Sequence, residues 1–143
     1  METSLDNIKF DKSILIKSDF ELLIDKDSIQ KRVKEIGSEI NKEYLNKMPI
    51  IIGVLNGSFL FMADLVRHLS IDYEVDFIKL SSYGNSTSSS GTVRLLKDIS
   101  ADIAGRNIIV VEDIVDTGLT IEFLFNRLME ANPESLKFVT CLL

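Results

Sequence analysis

Two uninterrupted apolar runs mark the middle of the chain, one at residues 49–55 and one at residues 108–111. Short continuous apolar runs bounded by turn signals are typical of parallel strands that are buried on both faces. Polar residues follow each run at once. In open α/β sheets, ligands bind outside the carboxyl ends of the strands, so these polar residues are the first candidates for a functional site.

A helical pattern follows each of these strands. Residues 59–69 are apolar nearly all round, which predicts a deeply packed helix. The helix after the second strand is predicted by apolar residues at i, i+3, i+4 and i+7, which are Ile121, Leu124, Phe125 and Leu128. Asn132-Pro133 then ends it. The chain therefore contains two predicted strand-turn-helix units.

The first third of the chain carries another helical pattern. Asp27-Ser28 is the expected N-cap, and the helix continues to Leu45. Its apolar stripe consists of Ile29, Val33, Ile36, Ile40 and Tyr44. Glu and Lys residues fill the opposite face, so we interpret this helix as a packing element without chemistry. Before residue 20, Ile14-Leu15-Ile16 could form a further strand.

Three further strands are predicted. Residues 73–80 alternate and contain β-branched residues, residues 93–96 form a returning strand, and residues 136–143 form another buried strand. The connection at residues 81–92 is polar and of low complexity, which predicts a flexible loop. Together the elements predict a single α/β domain over residues 1–143, with a Rossmann-like parallel sheet flanked by helices.

Composition narrows the function classes. The formal net charge of -6 disfavours nucleic acid as a partner, because that binding depends on basic patches. The apolar runs are too short for a membrane span, and no secretory signal is apparent. Cys141 is the single cysteine and cannot form an internal disulfide, so we expect a reducing, cytoplasmic location. His68, the single histidine, is expected late in a helix, as a surface residue or a partner of the helix C-terminal dipole rather than a catalyst.

Candidate chemistry concentrates after the second apolar run. Glu112 and Asp113 end the strand, and Asp116 precedes the turn Thr117-Gly118-Leu119-Thr120. A strand-to-helix turn offers backbone N–H groups and a positive helix end to a phosphate, and glycine permits close approach. The acids would repel a polyanion directly. A divalent cation between carboxylate and phosphate oxygens resolves that conflict, and Mg²⁺ suits such ligands.

Residues 110–120 resemble the phosphoribosyl-pyrophosphate (PRPP) motif of the type I phosphoribosyltransferases, in the form found in hypoxanthine-guanine phosphoribosyltransferases. The resemblance implies that Glu112 and Asp113 bind the ribose hydroxyls and help to place Mg²⁺. It assigns the 5′-phosphate to the segment composed of Asp116, Thr117, Gly118, Leu119 and Thr120. Asp116 would also be the catalytic residue that accepts the proton from N7 of the purine.

The turn Asn56-Gly57-Ser58, after the first strand, is a second ligand-facing turn. By the same resemblance, Asn56 and Gly57 bind pyrophosphate, and Leu55-Asn56 is a cis peptide bond. Many relatives have Lys at the position of Asn56. The absence of this lysine removes a positive charge, so backbone donors and Mg²⁺ would carry more of the pyrophosphate binding.

The resemblance also implies a function for the polar loop at residues 81–92. Family members have a long loop here with a Ser-Tyr pair, which Ser82 and Tyr83 match, and the loop closes over the reacting centre. Closure matters because water would otherwise capture an oxocarbenium-like sugar.

The chain departs from the family pattern at its end. In hypoxanthine phosphoribosyltransferases the chain continues with a lysine, a stacking aromatic residue, a further aspartate and a late arginine that serve the base and the metal. We therefore expect a carboxyl-terminally shortened chain with an incomplete hood, to which residues 1–20 could contribute. Relatives assemble as dimers or tetramers, so a homo-oligomer is expected.

The residues and the resemblance are compatible with three functions. The first is purine salvage, in which the phosphoribosyl group of PRPP is transferred to hypoxanthine or guanine to give IMP or GMP and pyrophosphate. The second is a regulator that binds PRPP without base transfer. The third is a nonenzymatic nucleotide-binding domain in which the carboxylates only place Mg²⁺ and another phosphate ligand.

Overall fold

The computed structural model of the protein describes residues 22–83, 92–116 and 118–142. In chain order, the elements are α1 (Lys26–Glu43), β1 (Ile50–Leu55), α2 (Phe59–Val66), β2 (Glu74–Tyr83), β3 (Thr92–Lys97), β4 (Asn107–Ile114), α3 (Leu119–Met129) and β5 (Ser135–Leu142). The helices and strands predicted after residue 26 are all present, with shifted ends at several of them, and the possible strand Ile14-Leu15-Ile16 lies outside the described residues.

The five strands form one sheet in the order β3-β2-β1-β4-β5. β1 pairs in parallel with β2 and β4, and β4 pairs in parallel with β5. β3 is antiparallel to β2. The prediction of an α/β fold is therefore confirmed, with one antiparallel edge strand added by the hairpin connection. The two strands with the strongest apolar runs, β1 and β4, lie side by side at the centre.

Both faces of the sheet are covered. One face packs against α1 and α2 through a buried cluster that includes Ile51, Ile109 and Leu65. The other face packs against α3 through a second cluster that includes Ile108 and Leu124. Successive residues of β1 and of the 108–111 part of β4 therefore enter different cores, which explains why these runs are apolar at consecutive rather than alternate positions.

The predicted start of α1 was wrong by two residues. The N-cap is Asp25, whose carboxylate accepts hydrogen bonds from the backbone N–H and the hydroxyl of Ser28, at 2.8 Å each. Asp27 lies in the first turn instead. The helix ends at Glu43, so Leu45 lies beyond it and is exposed. Sequence spacing alone did not distinguish between two aspartates that stand two residues apart.

Two of the predicted apolar faces are only partly buried. Phe59 and Leu60, in the first turn of α2, are 55% and 74% exposed, so this helix is not deeply packed all round. It also ends at Val66, which leaves His68 beyond the helix. In α3, Leu124 is buried, whereas Phe125 is 47% exposed. A surface helix buries one stripe, and these side chains fall outside it.

The strand β2 extends further than predicted. Ser82 and Tyr83, expected in the loop, belong to the last residues of β2 and pair with Val93 and Thr92 of β3. The remainder of the predicted lid and the possible hood contribution of residues 1–20 lie outside the described residues. Within those residues, no helix combines the length and the apolar character needed to cross a membrane.

Candidate active site

The predicted site residues lie at the carboxyl edge of the sheet. β1 pairs with β4 up to Gly53 opposite Val111, and both chains then continue in the same direction. On the other side of β4, Glu112 is opposite Thr140 of β5. The parallel pairing therefore brings the turn after β1 and the acids at the end of β4 to the same edge, although more than fifty residues separate them in sequence.

Glu112 is a buried acid, with 7% of its surface exposed. Its Oε1 accepts a hydrogen bond of 3.2 Å from the backbone N–H of Asp113. Burial is the main cause that raises the pKa of Glu112 from its ordinary 4.5 to about 7, and the neighbouring Asp113 carboxyl adds to the rise. Glu112 is therefore not a solvated surface acid.

Asp113 lies against the turn that follows β1. Its Oδ1 accepts a hydrogen bond of 2.8 Å from the backbone N–H of Ile114. A Cβ built on Gly57 would lie 2.6 Å from Cγ of Asp113, and closer still to Oδ2. Two site residues that were predicted from separate motifs, Asp113 and Gly57, are thus in direct contact.

The turn Asn56-Gly57-Ser58 has the backbone features that the resemblance implied. The Leu55-Asn56 peptide bond is cis, as predicted. The Ser58 hydroxyl is buried and donates a hydrogen bond of 2.6 Å to the carbonyl oxygen of Val54. Asn56 and Gly57 are exposed. Ser58 therefore ties the turn to β1, while the two predicted pyrophosphate-binding residues face outward from the sheet.

The turn between β4 and α3 presents the start of a helix. Gly118 is the N-cap of α3, with a φ of 77°, in the left-handed region that favours glycine. The carbonyl oxygen of Gly118 accepts a hydrogen bond of 2.9 Å from the backbone N–H of Glu122, but Gly118 has no side chain to cap the earlier amides of the first turn, which can therefore bind an anion. Asp116 and Leu119 are exposed, and Thr120 is half-buried. Thr117 lies outside the described residues.

Thr140 lies beside the acids, although no sequence motif marked it as a site residue. Its hydroxyl donates a hydrogen bond of 2.8 Å to the carbonyl oxygen of Leu142 and lies 3.4 Å from that of Asp113. It thereby joins the ends of β4 and β5 beside the acids. The position is a threonine within an apolar strand, and only the β4–β5 register shows that it lies opposite Glu112.

The other candidate groups lie elsewhere. The backbone carbonyl of His68 accepts a hydrogen bond of 2.9 Å from the side chain of Asn41, which places this histidine at the contact between α1 and the end of α2. Cys141 is half-buried and lines a cavity of about 310 Å³ between α1 and the end of β5. None of the predicted site residues lines that cavity.

Comparisons with known proteins agree with this geometry. A family model described as a phosphoribosyl transferase domain matches residues 23–142. The chain is 46% identical over 129 residues to the hypoxanthine-guanine phosphoribosyltransferase of Bacillus subtilis, a match that covers 90% of this chain and 72% of that protein. The corresponding protein of Streptococcus pyogenes is 42% identical over 119 residues, which cover 83% of this chain and 66% of that protein.

Solved structures show the same relationship. A crystal structure of a hypoxanthine-guanine phosphoribosyltransferase from Bacillus anthracis superposes with a TM-score of 0.78 at 46% sequence identity. That match covers 85% of this chain and 72% of the other. The chain thus spans about seven tenths of the length of these Bacillus proteins.

Proposed function

The chain belongs to the phosphoribosyltransferase family, and from this premise we propose that it provides the PRPP-binding site of a purine-salvage enzyme. The reaction is transfer of the 5-phosphoribosyl group to hypoxanthine or guanine, giving IMP or GMP and pyrophosphate. The observation that carries the proposal is the contact between Asp113 and Gly57, because it joins the two predicted parts of the donor site at one sheet edge.

The phosphate end of the donor is assigned to the start of α3. The first-turn amides, together with Thr117, Gly118, Leu119 and Thr120, would bind the 5′-phosphate. The left-handed Gly118 and the positive end of the helix dipole support this assignment. The ribose then extends toward the end of β4, where Glu112 and Asp113 would accept hydrogen bonds from its vicinal hydroxyls.

The two acids also suit Mg²⁺. Among the described residues there is no group of three or more Asp, Glu, His or Cys side chains able to hold a metal. Mg²⁺ is commonly held by one or two carboxylates with the remaining ligands supplied by water and substrate phosphates, so the adjacent Glu112 and Asp113 fit that mode. When bound, the ion would neutralise the charge of the leaving pyrophosphate.

The pyrophosphate is assigned to the turn after β1. The exposed Asn56 and Gly57 would provide backbone and amide donors there. Because Asn56 is neutral, these residues supply orientation rather than charge. Dependence on the divalent cation should therefore be strong in this protein.

Asp116 is assigned as the proton acceptor of the base. Its exposed position between the acids of β4 and the phosphate turn supports this role, because a base that attacks C1 of the ribose must approach from outside the sheet edge. As the C1–pyrophosphate bond breaks, positive charge develops on the ribose, and Glu112 and Asp113 would stabilise it. The closing role of Ser82 and Tyr83 stays a prediction.

Donor binding and transfer should be measured separately. We expect calorimetric binding of PRPP that requires Mg²⁺, and we would assay product formation with hypoxanthine, guanine, xanthine and uracil, using the Bacillus subtilis relative as the positive control. Binding with transfer to a purine supports the salvage enzyme. Binding without transfer to any base, both by this chain and by a longer form that carries the base-binding residues of the family, supports the PRPP-binding regulator. Failure to discriminate PRPP from ribose 5-phosphate favours the nonenzymatic domain.

The assembly and location of the protein are also proposals. We propose a homodimer or homotetramer in the cytoplasm. Light scattering of the purified chain tests the first part, since a monomer over the working concentration range would contradict it. Subcellular fractionation tests the second.

A further inference from the structure

The Asp113 carboxylate occupies the space where any other residue at position 57 would carry its side chain. A Cβ at Gly57 would lie 2.6 Å from Cγ of Asp113 and 2.9 Å from Oδ1. Such distances are far below van der Waals contact. Any substitution at Gly57 must therefore displace the carboxylate or the turn.

The backbone of Gly57 does not itself require glycine. Within the described residues, the glycines with positive φ are Gly105 and Gly118. Since Gly57 is not among them, another residue could adopt its conformation without strain. The space taken by Asp113 is the structural reason for glycine at this position.

Asp113 is held from other directions as well. Its Oδ1 accepts the hydrogen bond from the backbone N–H of Ile114, and its carbonyl oxygen lies 3.4 Å from the Thr140 hydroxyl. The side chain therefore cannot move away from Gly57 without losing the Ile114 hydrogen bond or changing its rotamer. A displaced Asp113 would no longer present its carboxylate beside the buried Glu112.

We infer that Gly57 is a positioning residue for Asp113, acting through the absence of a side chain. The inference rests on the proposed function insofar as Asp113 is a ligand for the ribose and Mg²⁺. It also couples the two parts of the donor site. The turn that is assigned to pyrophosphate determines the position of the Asp113 carboxylate, which is assigned to the ribose. Gly57 would thus affect donor binding even if its own amide touched no phosphate.

The first test needs no ligand. In ¹H–¹⁵N spectra, the Ile114 amide resonance should move in Gly57→Ala as far as it does in Asp113→Ala, because both variants remove the same hydrogen bond. Gly37→Ala is the matched control, since its Cβ would lie 2.7 Å from Cβ of His68, remote from the acids. It should leave Ile114 unchanged. An unmoved Ile114 resonance in Gly57→Ala overturns the inference.

A second test measures Mg²⁺-dependent PRPP affinity in a double-mutant cycle. Gly57→Ala should weaken binding by about tenfold, but by less than about twofold when added to Asp113→Ala, because residues that act through one another are not additive. If Gly57→Ala weakens PRPP binding by the same factor with and without Asp113→Ala, Gly57 contacts the phosphate directly and the positioning role is overturned.

Failure of the proposed function is distinguishable from failure of this inference. If the wild-type chain does not bind PRPP, the proposed function is refuted, and the Ile114 resonance still decides whether Gly57 positions Asp113. If Gly57→Ala does not fold, recovery of folding in the Gly57→Ala/Asp113→Ala variant supports the steric contact. Failure of that double variant to fold overturns it.

Discussion

At the scale of single residues, the three acids of the motif differ in environment although they are close in sequence. Glu112 is buried, Asp113 is half-buried against Gly57, and Asp116 is exposed. Chemical identity alone would give them similar roles. Their surroundings make them different. Glu112 is a buried acid with a raised pKa, Asp113 is a carboxylate that lies over the neighbouring turn, and Asp116 is accessible for proton transfer.

Replacing Asp116 by Asn tests its assigned role. We expect the transfer rate to fall by ~10²-fold or more, as is typical for loss of a general base, while PRPP affinity changes only severalfold. Steady-state kinetics and calorimetry give the two quantities. Asp72→Asn, an exposed acid just before β2 at the opposite edge of the sheet, is the control and should leave both unchanged. Equal losses of rate and affinity would contradict the proton-acceptor role.

Glu112 should make stability depend on pH. Between its ordinary pKa of 4.5 and the raised value of about 7, the unfolded chain releases this proton while the folded chain keeps it. Rising pH therefore favours the unfolded state, and the resulting loss in the free energy of unfolding reaches about 3 kcal/mol above pH 7. Below pH 4.5 it is absent.

Glu112→Gln removes this contribution. Urea unfolding at pH 5 and at pH 8 gives the fall in the free energy of unfolding between the two pH values. This fall should be smaller in the variant than in the wild type by up to about 3 kcal/mol. Glu122→Gln, which changes an exposed acid of α3, is the control and should retain the wild-type dependence. A parallel pH dependence in Glu112→Gln and wild type would show that the pKa of Glu112 is not raised.

At the scale of elements, short-range hydrogen bonds determine where helices begin and end. The N-cap of α1 is Asp25, whose side chain reaches the Ser28 amide, and not Asp27, which is nearer to the apolar stripe. α3 begins at a glycine without a capping side chain, which leaves its amides for a ligand. One helix start thus serves stability, and the other serves the proposed phosphate site.

Asp25→Ala tests the observed cap of α1. Loss of the hydrogen bonds from Ser28 should lower the thermal midpoint by about 2–6 °C, whereas Asp27→Ala should lower it less, because Asp27 lies in the first turn and is not the cap. The Ser28 hydrogen bonds lower the pKa of Asp25, so the difference from wild type should shrink as the pH falls through that pKa. A larger loss in Asp27→Ala would restore the cap predicted from sequence.

At the scale of the whole molecule, one sheet separates two cores. Ile109 and Val111 of β4 belong to the cluster under α1 and α2, and Ile108 and Val110 belong to the cluster under α3. The acids at the end of β4 are therefore carried by a strand that is packed on both faces. Such support limits how far the carboxylates can move.

Truncation of either core should destabilise the whole domain. Leu65→Ala and Leu124→Ala remove fully buried side chains from opposite faces, and each should lower the free energy of unfolding by about 2–5 kcal/mol in a single cooperative transition. Leu60→Ala, on the same helix as Leu65 but 74% exposed, should change it by less than about 0.5 kcal/mol. Denaturant unfolding followed by circular dichroism measures all three. A two-step transition would show that the faces unfold separately.

The amino-acid sequence by itself determined the elements, the α/β fold class and the positions of both ligand-facing turns. Apolar runs and helical periodicity are local properties, and they identified the buried centre of β4, and β1 and β5 to within one residue of their observed ends. The acids of β4 and the turn after β1 were likewise visible as local motifs. The exposed first turn of α2 was not, because burial depends on what packs against a helix.

Only the tertiary structure decided how the two motifs meet. The parallel pairing of β1 with β4 sets Asp113 over Gly57, and the pairing of β4 with β5 brings Thr140 opposite Glu112. The raised pKa of Glu112 depends in the same way on the chain segments that bury it. These are contacts between residues distant in sequence, and neither composition nor spacing contains the distances between them.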